Sequence, residues 1–373
     1  MADRIKLGII FGGRSSEHEV SLMSAGSVLS VLDPKKYEVT QIGITHDGTW
    51  LVGDNLCEWM GHPDAKNQTF ATILPDPSRS GLFAIQSIDH ENQIKLITNL
   101  DVVFPILHGS FGEDGTIQGL LELADIAYIG AGVLASSVGM DKALFKDVMR
   151  AQNIPVVDSI TATRRQISKE LESVISRVEK FGNYPVFVKP ANMGSSVGIT
   201  KCRNHSELVE GLMDAARYDR RILIEHSVNA REIEVSVLGN EDPRASVAGE
   251  ILPSGEFYSY NAKYIDDASK LLIPAPISAS DSTMVRKFAV QAYKAIDCAG
   301  MARVDFFIDK TTGEIFLNEL NTIPGFTKIS MYPKLWEASG LTYPQLVDEL
   351  ISLALERQVE RNQIERRFGS SRR

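Results

Sequence analysis

Arg303-Val304-Asp305-Phe306-Phe307-Ile308 is followed, after a short turn, by Ile315-Phe316-Leu317-Asn318-Glu319-Leu320-Asn321. Successive side chains of a strand point to opposite faces. Arg303 and Asp305 therefore share one face of the first segment, and Glu319 and Asn321 one face of the second. The connection, Asp309-Lys310-Thr311-Thr312-Gly313, is polar and ends in glycine, as hairpin loops longer than two residues do. The expectation is a β-hairpin whose polar face gathers two carboxylates and an amide. Hard oxygen donors of this kind suit Mg²⁺ shared with nucleotide phosphates. The bland alternative is an amphipathic hairpin with a solvated acidic face, which loses ground as the rest of the chain is read.

Upstream, Pro185-Val186-Phe187-Val188-Lys189-Pro190 runs into Ala191-Asn192-Met193-Gly194-Ser195-Ser196-Val197-Gly198. Lys189 alternates out of phase with Val186 and Val188 and precedes a loop with two glycines and two serines. Such a loop lets backbone N–H groups approach phosphate oxygens while a lysine neutralises their charge. No Gly-Lys-Ser/Thr follows at the Walker spacing, and Gly194 and Gly198 also fit plain turns.

Ile5 to Gly12 reads as a buried parallel strand, Ser21 to Leu29 as a helix and Tyr37 to Ile44 as a second strand, which makes a βαβ unit. Gly12-Gly13 continues as Arg14-Ser15-Ser16, without the G-x-G-x-x-G fingerprint, so a nicotinamide enzyme is disfavoured. Glu17-His18-Glu19-Val20-Ser21 instead puts two carboxylates at the strand-to-helix junction, where open α/β sheets bind ligands. Either carboxylate also suits the positive end of a helix. A further buried strand, Asp101 to Leu107, ends at His108-Gly109-Ser110-Phe111-Gly112-Glu113-Asp114-Gly115 and aims His108 at the same crevice.

The stretch from about 55 to 93 is polar and turn-rich, with Pro63, Pro75 and Pro77, and reads as an insertion. Helices are expected near 142–151 and 168–181, and a strand-like entry at Ile154 to Val157. A third unit is expected from about Ile222. The tail from Glu356 to Arg373 reads as a helix end fraying into disorder.

With 373 residues and 43% hydrophobic content, the chain needs two or three domains sharing an interface. A formal charge of -9 argues against a nucleic-acid partner bound through a basic surface. Cys57, Cys202 and Cys298 match neither zinc spacing nor a disulfide framework. Met1 to Lys6 leads straight into a strand, and no stretch is apolar enough to span a bilayer. These features point to a cytoplasmic protein without a membrane partner.

In joint order and spacing, Phe11-Gly12-Gly13, Glu17 to Ser21, His108 to Gly115, Met140-Asp141-Lys142, Lys189 to Gly198, Tyr260-Asn261-Ala262-Lys263-Tyr264, Arg303-Val304-Asp305 and Asn318 to Gly325 resemble the D-alanine:D-alanine ligases of the ATP-grasp superfamily. The resemblance covers nearly the whole chain. It implies an α/β, three-domain ATP-grasp fold: an N-terminal parallel α/β domain (1–130), a central subdomain (131–224) and a C-terminal catalytic domain with a charged tail (225–373). Nucleotide is expected between the last two. The implied reaction joins two D-alanines with ATP through a D-alanyl phosphate, for peptidoglycan precursors. The implied cofactors are ATP and Mg²⁺, which Mn²⁺ can replace, and the implied assembly is a homodimer.

Carried onto this sequence, the resemblance implies that Lys142 and Lys189 contact the phosphates or the adenine side of the cleft. Glu225, His226 and Val228 correspond to the adenine-binding connection, Glu232 to a ribose-binding carboxylate and Phe257 to a base contact. Lys263 is expected to reach the γ-phosphate from a mobile loop. Asp305, Glu319 and Asn321 are the implied metal ligands, while Arg303 and the backbone N–H of Gly325 are placed to stabilise an oxyanion. Glu19 is expected to hold the ammonium of the first D-alanine, with His108 nearby, and Ser330 and Met331 the carboxylate of the second. Ser195 and Tyr264 are expected to form a network with Glu19.

Two other readings compete. One is a D-alanine:D-lactate or D-alanine:D-serine ligase on the same fold; Tyr264 speaks against the lactate form, because related depsipeptide ligases carry phenylalanine there. The other is a catalytically dead nucleotide-binding regulator, which the presence of Lys263, Arg303, Asp305, Glu319 and Asn321 disfavours.

Overall fold

The structure is a computed structural model and describes residues 4–60, 69–88, 91–194, 197–252 and 270–365. Its first sheet contains β1 (Ile5–Gly12), β2 (Tyr37–Ile44), β3 (Trp50–Val52), β4 (Thr69–Ile73), β5 (Leu82–Ile88), β6 (Glu91–Thr98), β7 (Val102–Ile106) and β8 (Ala127–Tyr128). The spatial order is β6-β5-β4-β3-β2-β1-β7-β8. Strands β2, β1, β7 and β8 are parallel neighbours, as the unbroken apolar run of β1 requires. Leu7, Ile9 and Phe11 enter one core and Ile10 the core on the opposite face.

The segment read as an insertion is a continuation of this sheet. Strands β3 to β6 form an antiparallel meander on β2, with a short helix, Leu56–Trp59, between β3 and β4. Periodicity is weak there because the strands are short and the outermost one, β6, exposes Ile94, Leu96 and Ile97.

A second, antiparallel sheet follows, built from β9 (Ser159–Thr163), β10 (Val186–Pro190), β11 (Thr200–Cys202) and β12 (Arg221–His226) in the order β11-β10-β12-β9. Helices Leu171–Phe181 and His205–Tyr218 supply its core partners, including Val174, Val178, Leu208 and Leu212. Strand β12 belongs to this sheet, so Ile222 to Glu225 pair with β10 and β9 and do not open the next unit. The stretch Ile154 to Val157 makes one parallel bridge, Val156 to Leu317, and no named strand.

The third sheet is antiparallel: β13 (Ala230–Gly239), β14 (Arg244–Leu252), β15 (Lys270–Leu272), β16 (Gly300–Asp309) and β17 (Ile315–Asn321), ordered β15-β14-β13-β16-β17. Helix Ala279–Ala295 packs on it through Val285, Ala289 and Ala292. Helix Lys142–Ala151 adds Phe145 and Met149 to the same core.

The C-terminal helix, Tyr343–Asn362, returns to the first sheet. Leu346, Val347, Leu350, Ile351 and Ala354 recur at helical spacing and share a core with Leu7, Ile9 and Phe104. The tail was expected to fray from Glu356, but the helix is ordered through Asn362. Arg357 donates to the Gly130 and Tyr128 carbonyls and lies 4.3 Å over the Tyr128 ring, and Arg361 pairs with Glu122 and Asp125. Those contacts hold a charged segment that sequence composition reads as solvated. Among the described residues, no helix is long and apolar enough to cross a membrane.

Leu350 is fully buried between this helix and the first sheet. Leu350→Ala is expected to cost about 2–5 kcal/mol by leaving a cavity. Chemical denaturation followed by far-UV circular dichroism should show the midpoint shift; an unchanged midpoint would mean that the helix does not contribute to that core.

Candidate active site

All three sheets contribute to one cleft of about 790 Å³. Its floor is the hairpin β16–β17, in which Asp305 pairs directly with Glu319 and Arg303 with Asn321. The register slips after Asp305, leaving Asn318 as an extra residue in β17, so that the polar face is kept while the strand bends. Arg303 binds Asp305 in a two-pronged contact, Nε to Oδ1 at 2.8 Å and the guanidinium NH2 to Oδ2 at 2.7 Å, and Nε lies 3.0 Å from Glu234. Asn321 donates from Nδ2 to Asp305 at 3.1 Å. That bond leaves the amide oxygen as the atom able to face a cation. Two carboxylates and an amide oxygen on paired strands fit a hard, oxygen-ligated ion such as Mg²⁺.

Helix Lys142–Ala151 begins on Asp141, whose Oδ1 caps the Leu144 N–H. The other oxygen of Asp141 accepts from Asn192 and Arg221. Lys142 extends the link: its backbone N–H donates to Ala191 and its Nζ to the Met193 carbonyl at 2.8 Å, with Glu319 at 3.8 Å. The chain after Lys189 is thus pinned to the helix start, and Lys142 sits between that segment and the hairpin.

Lys189 projects from β10 to Glu225 on β12, and Lys146 reaches the other oxygen of Glu225 at 2.7 Å. Both Lys146 and Glu225 are buried. Burial opposes the charge on Glu225, but the two ammonium groups outweigh it and hold the carboxyl at about 2. Burial lowers the Lys146 ammonium. His226 and Val228 line the same end of the cleft, His226 stacked on Phe181 at 4.2 Å, and Glu232 lines it from β13.

At the opposite end the first sheet supplies Glu17, His108 and Glu113. His108 is buried, its Nδ1 3.1 Å from the Ile323 carbonyl and its Nε2 3.0 Å from the Ser24 hydroxyl. Nδ1–H donates to the carbonyl and Nε2 accepts from Ser24, whose oxygen in turn accepts from the Phe326 N–H. Burial, with the Arg303 charge nearby, pushes His108 down to about 4. Glu113 accepts from the Gly109 and Ile323 N–H groups; burial and the neighbouring Glu17 push it up to about 8.

The structure brings Glu17 into the cleft and leaves Glu19 outside. Glu19 is 65% exposed at its side chain and faces His46. Helix His18–Leu29 starts one residue after Glu17, and two residues turn about 200° around a helix, so the two carboxylates face opposite ways. Glu17 is buried, and Cβ atoms at Gly109 or Gly194 would come within 2.5 or 2.4 Å of its Oε2. Those two glycines make the room it occupies. Gly325 lines the cleft, and Ser330 lies beside it, where its hydroxyl accepts from the Thr327 N–H at 3.0 Å. The Met331 side chain turns into an apolar cluster with Ile251 and Leu335, so only its backbone, at the start of helix Met331–Ala338, can serve a ligand. Ser195, Phe257, Lys263 and Tyr264 lie outside the described residues. Glu113, Lys146 and Glu234 are cleft or supporting residues that motif reading passed over, although Glu113 stands inside the His108 to Gly115 segment.

A nucleotide-sized cleft between two antiparallel sheets, with an α/β domain closing one end on a sheet that is only partly parallel, not parallel throughout as expected, is the architecture of the ATP-grasp ligases. A D-alanine–D-alanine ligase from Coxiella burnetii superposes with a TM-score of 0.81 at 36% identity, over 97% of each chain. The VanG D-Ala:D-Ser ligase from Enterococcus faecalis gives 0.84 at 36% identity, over 94% of this chain and 100% of that one. A relative named D-alanine–D-alanine ligase in Thermoanaerobacter sp. is 52% identical over 95% of this chain and 97% of its own. Models of the D-ala D-ala ligase N-terminus and C-terminus match residues 6–131 and 148–352. The chain belongs to the D-alanine–D-alanine ligase family, a family of ATP-dependent, ADP-forming ligases.

Burial of His108 makes stability depend on pH. An unfolded imidazole takes its proton near 6.5 and the folded one near 4, so stability is lost as pH falls through that window. The loss is expected to reach about 3 kcal/mol relative to His108→Gln. Urea unfolding of both proteins from pH 7.5 to 4 measures it; parallel curves would show that His108 titrates normally in the fold.

Proposed function

We propose that this chain ligates two D-alanine molecules to D-alanyl-D-alanine, with ATP converted to ADP and phosphate, in the cytoplasmic supply of peptidoglycan precursors. The observation that carries the reading is the single cleft joining Lys142 and Lys189, the Asp305–Glu319–Asn321 face, Arg303 and the buried Glu17. A free carboxylate is a poor electrophile, and its conversion to an acyl phosphate gives the second amine a good leaving group to displace. Mg²⁺, or Mn²⁺ in its place, supplies charge neutralisation at the phosphates when held by Asp305, Glu319 and Asn321.

In this reading Lys142 and Lys189 bind phosphate oxygens. Glu225, His226 and Val228 take the adenine edge, Glu232 takes the ribose, and Phe257 and Lys263 complete the nucleotide site. Arg303 is held by Asp305 and Glu234 before any substrate arrives, and such preorganisation is what lets a guanidinium, with the Gly325 N–H, stabilise a developing oxyanion. Glu17 replaces Glu19 as the partner for the first ammonium group, with His108 beside it. Ser330 and the Met331 N–H take the second carboxylate, and Ser195 and Tyr264 close a network around Glu17. The division at residues 130 and 224 belongs to the same reading, with β12 straddling the second boundary. So does a homodimer, supported by exposed Phe70, Ile85, Ile94 and Leu96 at the β4–β6 end, where Ile85 and Ile94 lie directly opposite each other. Light scattering at working concentration checks the assembly.

Phosphate release and product analysis with D-alanine, L-alanine, D-lactate and D-serine test the reaction. Release dependent on D-alanine, yielding the dipeptide, is expected. A preferred mixed product with D-serine would favour the activity named for the VanG relative, and nucleotide binding without turnover would mean a regulator.

Glu17→Gln should raise the D-alanine KM about 10- to 100-fold, the loss of a charge-assisted hydrogen bond worth roughly 1.5–3 kcal/mol. Glu19→Gln should change it far less. Steady-state kinetics on both variants decide the matter, and the opposite ranking would return the ammonium site to Glu19.

A further inference from the structure

On the far side of Glu17 from the cleft, His18, Glu19 and His46 bring two imidazoles and a carboxylate together, each offering one ligand atom within 4.8 Å of the other two. His18 is buried, and its Nδ1 lies 2.9 Å from the Gly13 carbonyl. That bond makes Nδ1–H the donor and leaves Nε2 with a lone pair. A backbone carbonyl on the second ring nitrogen is also the usual support of a metal-ligating histidine, because it sets both tautomer and ring orientation.

His46 follows β2 and is 66% exposed at its side chain. Its ring stacks on His18 with centroids 3.8 Å apart and planes 23° apart, and its Nε2 lies 3.6 Å from Glu19 Oε1. A surface ion pair between Glu19 and His46 needs neither the second ring nor its backbone anchor. Around a tetrahedral zinc the donor atoms sit roughly 3.3 Å apart, given bonds of about 2.0–2.1 Å. Stacked rings hold their in-plane lone pairs in nearly parallel planes, so chelation requires the exposed His46 ring to swing off the stack and Glu19 to follow, while His18 stays fixed.

We propose that His18, Glu19 and His46 form a binding site for a borderline divalent transition metal of the Zn²⁺ class, with water as the fourth ligand. Two imidazoles and one carboxylate favour such an ion over Mg²⁺, which prefers oxygen. The site is distinct from the Asp305–Glu319–Asn321 face and does not depend on the reaction proposed above.

The test is a Co²⁺ titration of the chelator-stripped full-length protein with Mg²⁺ in large excess, which keeps the oxygen-ligand face occupied. One equivalent should bind and give visible d–d bands well above those of hydrated Co²⁺, without the intense near-ultraviolet band of a Co²⁺–thiolate bond to Cys57, Cys202 or Cys298. Zn²⁺ should displace it. His46→Ala and Glu19→Gln should each weaken Co²⁺ binding about tenfold or more, with unchanged circular dichroism. No saturable binding by the wild type, a thiolate band, or a His46→Ala titration identical to wild type would each overturn the proposal.

Discussion

The cleft depends on keeping charge out of water without leaving it alone. Glu225 illustrates the constraint: a carboxylate buried this deeply is tolerable only because Lys146 and Lys189 reach its two oxygens. The lysines come from different places, one from a helix in the core of the third sheet and the other from a strand of the second. The ion triad therefore fastens two layers while leaving Lys189 at the cleft surface. Replacing Glu225 alone would strand two ammonium groups, one of them fully buried, with no carboxylate between them.

The same logic recurs at the hairpin. Arg303 is committed to Asp305 and Glu234, so its position is set by protein carboxylates. At the other end Glu113 and Glu17 lie close enough for the charge on Glu17 to push the Glu113 carboxyl towards its neutral form, where it can still accept two backbone N–H groups. One end of the cleft is thus rich in fixed cations and the other is a buried acidic pair beside a neutral imidazole. Such a gradient separates a site for phosphate from a site for an ammonium group.

The hairpin was legible in sequence because period-two alternation marks both strands and the loop between them. The first βαβ unit was legible for the related reason that β1 is apolar throughout. What stayed hidden has physical causes. The strands β3 to β6 are short, and a solvent-facing edge strand mixes apolar and polar residues on both faces. The choice between Glu17 and Glu19 turned on where a helix begins, and boundaries move by a residue or two without changing the pattern. Arg357 and Arg361 looked like part of a solvated tail, since composition does not reveal that Tyr128, Glu122 and Asp125 wait more than 200 residues earlier.

The return of helix Tyr343–Asn362 to the first sheet has a consequence for biosynthesis. One face of β1 and β7 is completed by residues made more than 200 positions later. Until then Leu7, Ile9 and Phe104 lack Leu346, Leu350 and Ile351 as partners, so the N-terminal unit emerges with an unfinished apolar face. Vectorial folding, in which each domain seals itself before the next is translated, is closed to this chain. The nascent chain exposes that apolar face until helix Tyr343–Asn362 is made, and loss of the helix damages the part of the molecule made long before it.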